Sequence, residues 1–187
     1  METKLIFALI IIVYWLFYRI PTVIVKKVQT HVVKRKRLNL VGELPLLISL
    51  IFYGLFVYFL INTSIKIGTN VLAIAIVLFV TSAVLNEWSR IVLGKQWSGS
   101  ARIIQDHKLI REGPYSLCRH PMYFANLLMM FSGIFVMRSG IMFVLFTLNF
   151  FILIYRMRVE EEELIREFGK EYESYKKDVK GLIPLIY

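Results

Sequence analysis

The sequence predicts an all-α integral membrane protein of five transmembrane helices with a cytoplasmic C-terminal amphipathic helix. Three observations predict it. Of the 187 residues, 57% are apolar, against roughly 45–50% in soluble domains. The apolar residues gather in five stretches, Leu5–Tyr18, Leu44–Ile61, Val71–Leu85, Met122–Met137 and Ile141–Tyr155, and none of these contains Asp, Glu, Lys or Arg. The charged residues lie between them, as expected where a charge at mid-membrane costs about 2.5–3.5 kcal/mol on the insertion scale.

Each element follows from its flanks. The first stretch runs into Tyr18-Arg19-Ile20-Pro21, which offers no small-residue cleavage site, so it is expected to be retained as a span rather than removed as a leader. Several stretches fall short of the roughly 20 residues of a comfortable span and must borrow flanking positions. Only Arg138-Ser139-Gly140 separates the last two, which implies an antiparallel helical hairpin. The loop after the first stretch carries Arg19, Lys26, Lys27, Lys34, Arg35, Lys36 and Arg37, whereas the opposite side receives only Lys4, Lys66 and Arg138. Positive residues favour the cytoplasmic face, so the N-terminus is expected outside and the C-terminus and polar segments in the cytoplasm. The chain reads as one domain over 1–187. Its first three spans lie in 1–85, a cytoplasmic polar loop in 86–121, the hairpin in 122–155 and a C-terminal helix and tail in 156–187.

The formal charge of +10 does not point to nucleic acid. The bases flank apolar runs, where anionic lipid headgroups attract them. The single cysteine, Cys118, excludes a disulfide framework and a cysteine-based zinc site. His31 and His107 do not cluster with other ligand types, so no metal is expected.

Two segments carry candidate chemistry. In the first, Gly113-Pro114-Tyr115 reads as a turn, and Pro121 suits the first position of a helix, which places His120 at or beside its N-cap with Arg119 before it. A helix N-terminus favours an anion; the plainer reading is Arg119 reaching lipid phosphate and tyrosines in the interfacial belt. In the second, Leu164, Ile165, Phe168, Tyr172 and Tyr175 form a stripe at helical spacing. Four-residue steps back from Leu164 reach Glu160 and Arg156, and one from Ile165 reaches Glu161. These three charges therefore point inward, while Glu162 is expected to pair outward with Arg166. The plainer reading here is an Arg156–Glu160 pair that only anchors the helix. Lys95-Gln96-Trp97-Ser98 and Asp106-His107-Lys108-Leu109-Ile110 are weak signals alone.

In combination, Gly113-Pro114-Tyr115, Arg119-His120-Pro121-x-Tyr123, the tight hairpin and Arg156-x3-Glu160-Glu161-x2-Leu164-x3-Phe168-Gly169-x2-Tyr172-x2-Tyr175 resemble the isoprenylcysteine carboxyl methyltransferase family. Trp97-Ser98, Asp106-His107-Lys108-Leu109 and the ending Tyr175-Lys176-Lys177-x-Val179-x-Gly181-x-x-Pro184 extend the likeness, which runs from about Leu93 to the C-terminus. The resemblance implies a membrane enzyme that binds S-adenosylmethionine without a Rossmann fold and methylates the carboxylate of a prenylated cysteine reached from within the bilayer. It implies Lys108, Leu109, Tyr115, His120 and Glu161 at the cofactor, and Arg156 and Glu160 at the transferred methyl and acceptor. Ala125 and Asn126 depart from the family pattern, where glycine and an aromatic residue are common.

Rival readings are a phospholipid N-methyltransferase, in which Glu160 would serve as general base, an NADPH-dependent membrane sterol or ene reductase, and a non-enzymatic lipid-binding protein. The run of glutamates in the tail disfavours a site for the extra phosphate of NADPH.

Overall fold

The computed structural model describes residues 33–36, 51, 54, 55, 58, 62, 68–96, 102–104, 108–137, 140–184 and 186. The expected first span, most of the second, Trp97, Ser98, Asp106, His107, His31 and the Arg138-Ser139 link lie outside the described residues. Ile51, Gly54, Leu55 and Tyr58, inside the expected second span, are helical.

Helix α1 spans Thr69–Leu93. Its 25 residues reach ~37 Å at the usual helical rise, enough to cross a hydrocarbon layer of about 30 Å. Its buried positions Ala75, Phe79, Ser82, Asn86, Ser89 and Arg90 recur every three or four residues, which makes one face. That face carries the helix past Leu85, where the sequence predicts the polar loop to begin. Asn86, Ser89 and Arg90 stay on the packed side, and Arg90 pairs with Glu87 one turn back at 3.3 Å, so nothing forces the chain to leave the helix.

Helix α2 spans Pro121–Met137 and packs along α1. The small side chains of Ala75, Ser82 and Ala125 let the two helices approach closely, the usual device for helix pairs in lipid. Ser82 Oγ donates to the Ala125 carbonyl at 2.7 Å across the contact. At its N-terminal end the His120 carbonyl accepts the amides of Tyr123 and Phe124, so Pro121 does hold the first helical position.

Helix α3 spans Gly140–Phe168 and runs antiparallel to α2. Asn149 Nδ2 donates to Asn126 Oδ1 at 2.8 Å, satisfying two amides that lipid could not. The sequence predicts a membrane span to Tyr155 and a separate helix beyond it. Instead, one helix of 29 residues continues through Arg156 and the glutamates, because no residue in that stretch breaks a helix. Gly169 ends it with a left-handed φ of 53°, a conformation that costs other residues dearly. Helix α4, Lys170–Asp178, then turns off.

The tail folds back from α4 onto the start of α2. The amides of Arg119 and His120 donate to the carbonyls of Lys180 and Gly181 at 2.8 and 2.9 Å. Leu182, fully buried, joins Leu127, Leu153 and Met157 in a core beneath this junction. A short antiparallel ladder, which the sequence does not predict, pairs β1 (Val33–Lys36) with β2 (Arg102–Ile104). It joins the first basic segment to the 86–121 segment, two stretches that the charge distribution leads one to expect on the same membrane side. The helices Thr69–Leu93 and Gly140–Phe168 are long and apolar enough to cross a membrane.

Candidate active site

The junction of the α2 start, the C-terminal half of α3, α4 and the tail holds a dense charged cluster. Pro121 sets the start of α2, so His120 faces the extension of α3 one residue before it. The α-helical spacing of Arg156 and Glu160 puts both on one face of α3, and Glu161 lies about 100° round from Glu160.

Glu161 sits at the centre with its side chain 7% exposed. Arg119 Nε and Nη2 each reach its Oε1 at 2.8 Å, and His120 Nε2 lies 3.3 Å from the same oxygen. Lys176 Nζ meets Oε2 at 2.8 Å. Burial alone would raise the Glu161 pKa, but the bonds from His120, Lys176 and Arg119 outweigh it and hold the carboxyl well below the usual carboxylate range.

Arg119 is fixed from several sides. Its Nη1 donates to the carbonyls of Lys176, at 3.2 Å, and of Val179. Gly181 leaves room for the guanidinium: a Cβ there would stand 3.2 Å from Nη2.

Glu160 anchors a second group. Its Oε1 accepts from Arg156 Nε at 3.2 Å and from the Tyr123 hydroxyl at 2.5 Å. The Tyr123 ring stacks on His120, centroids 5.3 Å apart, and the Arg156 guanidinium lies over the same ring, 5.6 Å from its centroid. His120 Nδ1 lies 3.8 Å from Glu160 Oε2, so the imidazole stands between the two carboxylates.

The loop before α2 is clasped to α4. Tyr175 donates its hydroxyl to the Tyr115 carbonyl, and Arg111 Nη2 reaches Glu171 at 3.1 Å. Burial pushes the Tyr115 hydroxyl far above its ordinary value, with Tyr175 and Glu160 adding to the effect, so it stays a neutral donor. The Cys118 thiol is pushed up to about 11 by burial, which leaves it protonated and consistent with an apolar filler.

Beside the cluster, α2 and α3 diverge around an apolar groove of about 500 Å³, lined by Phe124, Leu127, Phe131, Phe146, Phe150 and Ile183 among others. Phe124 adjoins Tyr123, and Ile183 follows the fully buried Leu182, so one end of the groove meets the charged junction.

Of the residues singled out in the sequence, His120, Arg156, Glu160 and Glu161 come together here. Tyr115 stands at the edge. Lys108 is exposed, its amide 3.4 Å from Gln96 Oε1, and among the described residues no hydrogen bond or ion pair ties Lys108 or Leu109 to the cluster. The amides of Arg119 and His120, just before the α2 start, are taken by the carbonyls of the tail. Arg119 was noticed as a positive charge before the helix start but not as the clamp on Glu161, and two residues escaped notice as site members: Tyr123 as the bridge to Glu160, and Lys176. Tyr123 was findable, since it lies one helical turn after His120. Lys176 had no signal beyond its place in the ending. Glu162 faces outward as expected, but Arg166 donates to the buried Glu163 at 2.8 Å.

A family model described as the isoprenylcysteine carboxyl methyltransferase (ICMT) family matches residues 73–166. A protein-S-isoprenylcysteine O-methyltransferase of Schizosaccharomyces pombe is 38% identical over 87 residues, covering 44% of this chain and 35% of the relative. One of Dictyostelium discoideum is 36% identical over 85 residues, with the same coverage of 44% and 35%. The chain thus spans about a third of the length of these relatives. A solved structure of a eukaryotic intramembrane Ras methyltransferase has the same fold, at a TM-score of 0.58 and 20% identity over 76% of this chain and 50% of that one.

Proposed function

The chain belongs to the isoprenylcysteine carboxyl methyltransferase family, and from that premise we propose that it transfers a methyl group from S-adenosylmethionine to the carboxylate of a prenylated cysteine, or of a closely similar amphiphile, at the cytoplasmic membrane face. The observation that carries this reading is the adjacency of two unlike environments on the same two helices. A buried cluster of fixed charges adjoins an apolar groove large enough for a lipid tail, as an amphiphile with an ionised end requires.

The donor set suits the proposed cofactor. Its methionine end carries an ammonium and a carboxylate, and Glu161 is a buried carboxylate that already accepts an ammonium, from Lys176. Glu161 and His120 would hold that end. The family pattern adds Tyr115, Lys108 and Leu109, of which Tyr115 offers a buried neutral hydroxyl. When bound, the cofactor supplies a methyl group activated by its sulfonium.

The acceptor carboxylate has a free pKa of about 3.3–3.7, so it is ionised at neutral pH and needs no general base. What remains is positioning and the exclusion of water. Arg156 would orient the carboxylate by charge-assisted hydrogen bonds. Glu160 and Tyr123 hold the guanidinium in place, one by a hydrogen bond and one by its ring face. The groove between α2 and α3 would take the apolar tail from the lipid side, with five spans, the N-terminus outside and the site in the cytoplasm as the charge distribution suggests. The phospholipid methyltransferase, the reductase and the non-enzymatic protein draw no support from the family match.

The test is a thermal-shift and calorimetric titration of the detergent-purified protein with S-adenosylmethionine, S-adenosylhomocysteine and NADPH. It is followed by transfer of labelled methyl to a prenylated N-acetylcysteine in vesicles. Stabilisation by both adenosyl ligands and base-labile methyl incorporation are expected. Stabilisation by NADPH alone would replace the proposal with the reductase.

A further inference from the structure

The two oxygens of Glu161 keep unlike company. Oε1 takes both Arg119 nitrogens and faces His120, whose side chains are 9% and 7% exposed. Both are locked: the guanidinium by the Lys176 and Val179 carbonyls, the imidazole by its stack on Tyr123. Among the described residues, Oε2 has one partner, the Lys176 ammonium, and that side chain is 35% exposed. It is a point charge on a flexible four-carbon stem. Of the three groups on Glu161, Lys176 is by far the most exposed.

We infer that Lys176 is a displaceable internal ligand of Glu161, whose own ammonium holds the oxygen that the ammonium of the cofactor's methionine end takes on binding. The inference rests on the reading of Glu161 as the cofactor's amino-binding group. A buried carboxylate stripped of a partner is strongly unfavourable, so Lys176 does not leave unless another cation replaces it. A primary ammonium replaces it like for like, with the same charge and the same three donors. Two ammonium groups on one oxygen would repel each other, so the two exclude one another. The exchange leaves α4 in place, because the Lys176 carbonyl and not its ammonium bonds Arg119. Lys176 thereby lowers the apparent affinity for any ligand with an amino-acid end by the fraction of time it occupies Oε2.

The experiment is calorimetric titration of the wild-type chain, Lys176→Met and Lys176→Arg with two probes. S-adenosylhomocysteine carries the amino-acid end; 5′-methylthioadenosine shares the adenosyl thioether and lacks it. Lys176→Met is expected to bind S-adenosylhomocysteine about three- to tenfold tighter, with methylthioadenosine unchanged and Lys176→Arg close to wild type. Unchanged or weaker binding of S-adenosylhomocysteine by Lys176→Met overturns the inference. Failure of the wild type to bind either probe would instead remove the methyltransferase reading beneath it. Should Lys176→Met not fold, acetylation of wild-type Lys176 followed by mass spectrometry decides. Its rate is expected to rise with S-adenosylhomocysteine and not with methylthioadenosine, and a constant or falling rate overturns the inference.

Discussion

Arg119 and Glu161, 42 positions apart, meet through two guanidinium nitrogens on a single carboxylate oxygen, each at 2.8 Å. The pair joins the start of α2 to the charged C-terminal extension of α3, and the other arm of Arg119 holds the α4–tail segment by its carbonyls. Three parts of the chain thus converge on one guanidinium.

Removing that guanidinium leaves Glu161 buried with fewer partners. Arg119→Ala is expected to cost about 3–5 kcal/mol, the range for breaking a buried ion pair. Arg119→Lys should fall between it and wild type, since an ammonium cannot bond the carboxylate and both carbonyls with the same planar fork. Denaturant unfolding in detergent measures this, and equal stability of all three proteins would contradict it.

The same carboxylate gives the junction a signed dependence on pH. The folded-state pKa of Glu161 is depressed. Its contribution is therefore fully present above the ordinary value of about 4.3 and is lost as pH falls through the depressed one. The stability difference between wild type and Glu161→Gln should be largest near neutrality and shrink progressively below about pH 4.3. Unfolding series from pH 7 downward would show it; a difference that grows on acidification reverses the sign and refutes the assignment.

Much of this site was legible because helical spacing is local. Arg156 and Glu160 sit four apart, and the inward turn of Glu160 and Glu161 followed from the stripe ending in Tyr172 and Tyr175, both buried in the structure. The stripe nonetheless crosses the break at Gly169, so two helices share it. Glu163 was missed for a related reason. It lies about 200° round the helix from Glu161, and both are buried, so α3 is covered on two faces where one stripe describes one. The partners of Arg119 and Lys176 depend on contacts more than 40 positions apart or on the fold of the tail, and no periodicity encodes those. The α3 extension beyond Tyr155 was hidden by the change from apolar to charged residues, which marks the membrane edge and not the helix end.

Gly181 should be intolerant for a reason distinct from Gly169. A Cβ at Gly181 would stand 3.2 Å from both Arg119 Nη2 and the Met157 sulfur, so Gly181→Ala presses on the clamp of Glu161 and asks it or Met157 to give by a few tenths of an ångström. A Cβ at Gly169 meets nothing within 4 Å and carries only the strain of a φ of 53°, about 1–3 kcal/mol. Both variants should lower thermal stability, but only Gly181→Ala should also weaken S-adenosylhomocysteine binding. Equal affinities in the two variants would separate the tail from the site.

The proposed acceptor side has its own test. Arg156 and Glu160 meet at 3.2 Å, and Tyr123 binds the same Glu160 oxygen at 2.5 Å, so the guanidinium is oriented by two groups. Arg156→Ala and Glu160→Gln are expected to abolish methyl transfer while leaving the protein folded in detergent and its affinity for S-adenosylhomocysteine near wild type. Tyr123→Phe keeps the ring under Arg156 and loses one hydrogen bond to a charged group, which corresponds to about 1.5–3 kcal/mol. Its turnover should therefore fall by roughly 10- to 150-fold, since each 1.36 kcal/mol is tenfold in rate. Glu161→Ala should show the opposite pattern, with weakened cofactor binding and unchanged preference among acceptors. Steady-state rates with a prenylated N-acetylcysteine, set beside binding constants for the same variants, separate the two groups. Full activity in both Arg156→Ala and Glu160→Gln would reduce that pair to a helix anchor.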